Sequence, residues 1–166
     1  MIFATIGTQL GFPRLVTALV DLAPRLGEEM LIQTGPDTDP AWQAAAAATP
    51  GLTLVQSLRP AEFEEAFTRA RAVVGHCGMG TILSARRWVK PLVVMPRRHA
   101  LGEHRNDHQL ATARQVEALP GVHVAWEIAD LERLLAGPAL SPPPEPGEQS
   151  PGQQALVARL RAFIEA

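Results

Sequence analysis

The sequence predicts an α/β fold, a doubly wound, mostly parallel sheet with helices on both faces. Short apolar runs alternate with helix-period stretches along nearly the whole chain. Several of those runs are apolar at every position, as strands covered on both sides are. Glycine-bearing turns stand where predicted strands feed predicted helices.

Met1 to Ile6 reads as a buried strand ending at the turn Gly7-Thr8-Gln9. The helix after it repeats Leu15, Leu19 and Leu22 at near-helical spacing. Met30 to Gln33 is a second strand, closed by Gly35-Pro36-Asp37. Asp39 to Thr49 is an alanine-rich helix with a polar cap and a weak apolar stripe. Leu52 to Val55 is a third strand, and Pro60 to Ala70 a helix with Phe63 and Phe67 on one face. Ala72 to Val74 runs straight into Gly75-His76-Cys77-Gly78-Met79-Gly80-Thr81, and a helix is expected over Thr81 to Trp88. Pro91 to Met95 is a strand stopped by Pro96, followed by a polar loop from Arg97 to Arg105. Asn106 to Ala118 reads as helix, Val122 to Ala125 as the last strand, and Ile128 to Leu135 as helix. Residues 137–151 are proline-rich and read as a connector. Residues 152–166 put Leu156, Leu160, Phe163 and Ile164 on one face of a terminal helix expected to pack on the domain spanning residues 1–136.

A chain of 166 residues has the size of one domain that needs no covalent staples. A net charge of −2 provides no field toward nucleic acid, and no nucleic-acid partner is expected. Lys90 is the only lysine, a bias shared with abundant alanine and proline rather than a sign of a basic surface. Cys77 is the only cysteine, which excludes a disulfide framework and fits a reducing cytoplasm. The opening apolar run stops at Gly7, too short for a secretion signal. No run approaches the roughly 20 apolar residues that span a bilayer, so membrane contact is expected only peripherally, through a partner.

The run from Gly75 to Thr81 is the richer of two candidate anion loops. Its glycines permit close backbone approach, and the following helix aims free N–H groups and its positive dipole end at one point. His76 and Thr81 add side-chain donors. The Gly7-Thr8-Gln9 turn is a weaker version of the same design. The bland alternative, a tight turn and nothing more, stays open at this point. The glycines do not match the dinucleotide fingerprint, and no Gly-Lys-Ser/Thr stands here for a phosphate loop of the nucleotide-hydrolase kind.

Four stretches, in order, resemble glycosyltransferase family 28. These are the opening Met1 to Gln9, the run His76 to Thr81, Lys90 to Pro96, and Asn106-Asp107-His108-Gln109. The last three resemble the family's C-terminal domain. The first resembles the start of its small stand-alone members, the catalytic subunits of two-part UDP-sugar transferases in N-glycan assembly or exopolysaccharide synthesis. The resemblance covers Met1 to about Ala125 and fades after Ile128. It implies the nucleotide-sugar-binding half of a GT-B fold, working as a heteromer with a membrane-associated acceptor-binding subunit at the inner membrane face. It implies that His76, Gly78, Gly80 and Thr81 hold the diphosphate, that Met79 belongs to the same substrate-binding run, and that Gly7 and Thr8 close over the phosphates. By the same likeness, His108 and Gln109 meet the hexose hydroxyls. Many relatives carry a ribose-gripping glutamate after the glycine loop. Ser84 stands at that position here, which leaves nucleotide preference open, with Glu103 a conceivable substitute.

The expected chemistry is hexosyl transfer from a UDP-sugar to a lipid-linked acceptor, with the leaving diphosphate stabilised by amides rather than by a metal. No cofactor is expected, and the general base is expected on the partner chain. A nucleotide-sugar-binding module without turnover is the alternative, and an epimerase of the same shape is disfavoured by length. His104, Arg105, Asp107 and His108 are read as a loop rather than a metal cluster, and His99, His104 and His108 as neighbours of the pocket by sequence. Arg97 and Arg98 are read as a solvated rim at least as readily as phosphate contacts. Cys77 is read as a small turn residue rather than a reactive thiol. Trp42, Trp88 and Trp126 are assigned to core or edge packing.

Overall fold

The computed structural model describes residues 1–137 and 140–145. Among them, strands β1 (Ile2–Thr5), β2 (Met30–Gln33), β3 (Leu52–Val55), β4 (Ala72–His76), β5 (Leu92–Met95) and β6 (Val122–Val124) form one sheet in the order β3-β2-β1-β4-β5-β6. Every pairing is parallel. The sheet is doubly wound, as predicted.

The helices are α1 (Pro13–Leu26), α2 (Pro40–Ala48), α3 (Pro60–Arg69), α4 (Met79–Arg87), α5 (His108–Val116) and α6 (Ile128–Ala136). Side chains alternate along each strand, so Ile2, Ala4, Met30, Ile32 and Val74 pack on one face under α1, α2 and α6. Phe3, Val73, Leu92 and Val94 pack on the other under α3, α4 and α5. Phe3 is fully buried and meets Phe63 and Phe67 edge-on at 5.6 and 5.4 Å. Burying one such ring stabilises the fold by about 2–3 kcal/mol. Trp42 lies in the opposite layer, its indole N–H donating to Thr17 Oγ1 at 3.0 Å.

Of the boundaries that differ from the sequence reading, two bear directly on the phosphate loop. Strand β4 continues through Gly75 and His76, which pair with Val94 and Met95 of β5. Helix α4 starts at Met79, not Thr81. A glycine-rich run looks like loop because glycine weakens both strand and helix propensity. Here the ladder to β5 overrides that preference, and only Cys77 and Gly78 connect strand to helix. Within the polar loop after β5, His99–Leu101 makes a short 3-10 turn.

Residues 140–145 hug the surface beside β6. Pro143 is buried against Gly121, and Ser141 O lies 3.3 Å from His123 Nε2. The expected terminal helix over residues 152–166, with Leu156, Leu160, Phe163 and Ile164, lies outside the described residues, as does the rest of the connector.

Candidate functional site

Strand order reverses between β1 and β4, and their outgoing loops diverge there to leave a crevice beyond the sheet's carboxyl edge. His76 stands at that point, fixed by the ladder of β4. Its imidazole lies between two glycines. Gly7 takes φ +83°, a backbone that favours glycine, and a Cβ there would come within 3.3 Å of His76 Cε1. A Cβ on Gly78 would overlap the His76 ring outright. Both residues therefore make room for one side chain.

That side chain is chemically unusual. His76 Nδ1 is buried and has no hydrogen-bond partner. Burial, with Arg97 and His104 adding positive charge, pushes the His76 pKa down to about 4. At neutral pH the ring is uncharged, with one nitrogen able to donate and one to accept.

Gly78 N donates to His76 O at 2.8 Å, which tightens the turn, and α4 begins at once. No side chain caps this helix, and its first turn holds no acid. The N-terminal amides of a helix need partners from outside it, and nothing lies within 4 Å of where a Gly80 Cβ would sit. Gly80 and Thr81 at this helix start border open space.

Two cavities meet at His76. The first, about 590 Å³, lies between α3 and α4. Gly80, Thr81, Ser84, Arg87 and Trp88 form one wall, while Leu58, Pro60, Phe63 and Glu64 form the other. Gly7 and Thr8 close one end, and Thr5 and Gln33 lie at its sheet side, with Thr5 Oγ1 donating to Gln33 Oε1 at 2.7 Å. The second, about 310 Å³, lies on the other side of His76 and is lined by Gln9, Leu10, Arg97, His104 and Gln109 as well as Gly7 and Thr8.

Of the residues singled out from sequence, Gly7, Thr8, His76, Gly80, Thr81 and Ser84 come together on the first cavity. Gln109 lies on the second, its Oε1 accepting from Arg97 N at 3.1 Å. Gly78 shapes the His76 niche without lining either cavity, and Met79 and His108 are exposed and line neither. His104 reaches the second cavity, whereas His99 is exposed.

Arg97 is not a solvated rim residue: it is 3% exposed. Its Nη2 donates to Ile6 O at 3.0 Å and to Leu10 O at 2.7 Å, and its guanidinium stands 5.1 Å over the Phe12 ring. A local reading sees two arginines after a proline and leaves solvent and phosphate open for both. The structure instead draws Arg97 in as a clamp across both ends of the first loop. Arg98 pairs with Glu127 at 2.7 Å. Glu103 is likewise committed, since Arg14 Nη2 donates to its Oε2 at 2.9 Å and Arg98 N donates to the same oxygen at 2.8 Å. It lines neither cavity, so it is no substitute ribose ligand. Cys77 is buried, which pushes its thiol up to about 11 and fits a packing role.

The sequence contains an Asp-x-Asp, Asp37-Thr38-Asp39, a spacing associated with metal-dependent transfer. Asp39 Oδ1 instead accepts from Ala41 N at 2.8 Å as the cap of α2, and Asp37 lies against Gly11. Among the described residues, no cluster of three or more His, Cys, Asp or Glu side chains could hold a metal ion. Trp88, assigned to packing, does stack on Phe67 at 4.9 Å, yet it also lines the first cavity with Phe63, Glu64 and Arg87. The α3 residues were not singled out because that wall forms only when β3 and β4 bring α3 opposite α4.

Comparison with known proteins places the chain. The model of the glycosyltransferase family 28 C-terminal domain matches residues 1–135. Among solved structures, MurG of Acinetobacter baumannii is similar at 21% identity and TM-score 0.60, over 80% of this chain and 39% of its own. The solution structure of ALG13 is similar at 19% identity and TM-score 0.61, over 93% of each chain. Os79 from O. sativa, solved in complex with UDP, is similar at 18% identity and TM-score 0.58, over 80% of this chain and 30% of its own. At these identities the likenesses show the fold, that of half a GT-B glycosyltransferase. The chain spans about two fifths of the MurG chain it matches. No curated protein matches its sequence.

Proposed function

The chain belongs to the glycosyltransferase family 28 C-terminal domain family, and from that premise we propose that it binds a UDP-sugar and passes the hexose to a lipid-linked acceptor held by a membrane-associated partner, in polysaccharide or glycolipid synthesis. The observation that carries the proposal is the uncapped start of α4 opening on the larger cavity beside a neutral His76.

The donor lies along α4. A helix rises about 1.5 Å per residue, so Gly80, Ser84 and Trp88 stand about 6 Å apart in sequence order. That spacing suits diphosphate, ribose and base in turn. The amides of Met79, Gly80 and Thr81 and the His76 imidazole receive the diphosphate, and Leu58, Phe63 and Trp88 give the base an apolar berth. Gly7 and Thr8 cover the phosphates from β1. The sugar points across His76 into the smaller cavity, toward Gln109 and His104. As the glycosidic bond breaks, charge grows on the leaving diphosphate, where fixed amide dipoles stabilise it without reorganising. The base for the acceptor hydroxyl comes from the partner. No helix among the described residues is long and apolar enough to cross a membrane.

Thermal shifts of the full chain against UDP, GDP and dTDP test the binding half, with UDP expected to give the largest shift and no shift from any of them overturning the proposal. Gly80→Ala sharpens the test. Its methyl meets nothing in the fold, so stability should be unchanged or slightly higher, while UDP affinity drops about tenfold. Turnover of UDP-sugar with a lipid acceptor should be negligible for the purified chain and appear with the partner; robust turnover alone would remove the two-part reading.

A further inference from the structure

The ribose position on α4 is held by Ser84, a single hydroxyl facing a wide cavity, and the facing wall offers a carboxylate. We propose that Glu64 on α3 is the acceptor for the ribose hydroxyls and the residue that sets preference for a ribonucleotide, an inference that rests on the donor-binding reading above. Three glutamates stand on α3. Glu62 is committed to the helix start, accepting from Arg59 N at 2.8 Å and Arg59 Nε at 2.9 Å. Glu65 pairs with Arg69 at 3.7 Å. Glu64 makes no ion pair or hydrogen bond among the described residues, and it lines the cavity opposite Ser84 and Arg87.

Arg87 faces the same space and is not paired with Glu64; its guanidinium rests 5.0 Å over the Trp88 ring. No ion pair bridges the two walls, and the cavity of about 590 Å³ between them has room for a guest of nucleoside size. A vicinal diol presents two donors side by side, and a carboxylate accepts both in one plane, as a serine hydroxyl cannot. The carboxylate comes from the helix opposite the one that carries the glycine-loop amides, so the ribose is gripped from across the cleft.

Calorimetry of the full chain with UDP and with 2′-deoxy-UDP tests this, using wild type, Glu64→Gln and Ser84→Ala. Wild type should prefer UDP about tenfold. Glu64→Gln should weaken UDP about tenfold, leave 2′-deoxy-UDP within twofold and so abolish the preference, with an unchanged melting temperature because Glu64 is exposed. A purely electrostatic role has the opposite sign: removing a negative charge beside a diphosphate would tighten both ligands. Retention of the preference in Glu64→Gln, equal changes for both nucleotides, or loss of the preference only in Ser84→Ala would each overturn the assignment while donor binding stands. Failure of wild type to bind UDP at all would overturn donor binding and this assignment together.

Discussion

His76 has an ordinary pKa near 6.5 that burial, with Arg97 and His104, lowers to about 4 in the folded chain. As pH falls below about 6.5 the unfolded chain takes up a proton that the folded chain refuses until about pH 4. Stability is therefore complete above pH 6.5 and is lost as pH falls toward 4, by up to about 3 kcal/mol. Urea unfolding of wild type and His76→Gln between pH 7 and 4.5 should give stabilities that converge as pH falls, since the variant lacks this proton; parallel curves would show that His76 is not held neutral. The His-x-Gly pattern was readable because its geometry is local: Gly78 must be small where the ring folds back over it. Arg97 was unreadable for the opposite reason. Its burial depends on Ile6, Leu10 and Phe12, more than 80 residues earlier in the chain.

Among elements, the strands could be located from sequence because parallel strands buried on both faces carry continuous apolar runs, and Met30–Gln33 and Leu52–Val55 fall as predicted. The end of β4 and the start of α4 did not, because hydrogen bonds to β5 decide them and the side chains do not. The far end of α4 holds a further feature that sequence conceals. Val89 N donates to Arg86 O at 3.3 Å and Lys90 N to Ala85 O at 2.8 Å, which closes the helix in a Schellman motif. The residue at its centre, Val89, takes φ +52°, where a β-branched side chain is strained. Val89→Gly should relieve that strain and raise unfolding stability by about 1 kcal/mol, read as a higher urea midpoint at unchanged slope. A lower midpoint would mean that packing of the valine outweighs its backbone cost. Because Trp88 precedes it on the cavity wall, the strained turn also sets the angle of the proposed base-binding face.

At the scale of the whole molecule, the site is a product of strand order. His76 and Gly7 are neighbours only because β4 inserts beside β1, and the facing wall exists only because α3 crosses over to reach β4. Sequence patterning establishes that there are strands and helices in alternation, and the resemblance of short motifs indicates which turn matters. Neither says which helices face each other across the crevice, so Ser84 was found and Glu64 was not. The same insertion has a bearing on synthesis. β1, β2 and β3 are consecutive in sequence and can zip together as they leave the ribosome, but the other margin of β1 waits for Ala72–His76. Until about half the polypeptide has emerged, that fully buried strand displays a bare row of amides and carbonyls, the kind of margin on which nascent chains stick to one another. Translation pauses or nonsense codons between β3 and β4 would thus yield an insoluble remnant, whereas interruptions after β5 would leave five of the six strands in place, with β1 covered on both margins.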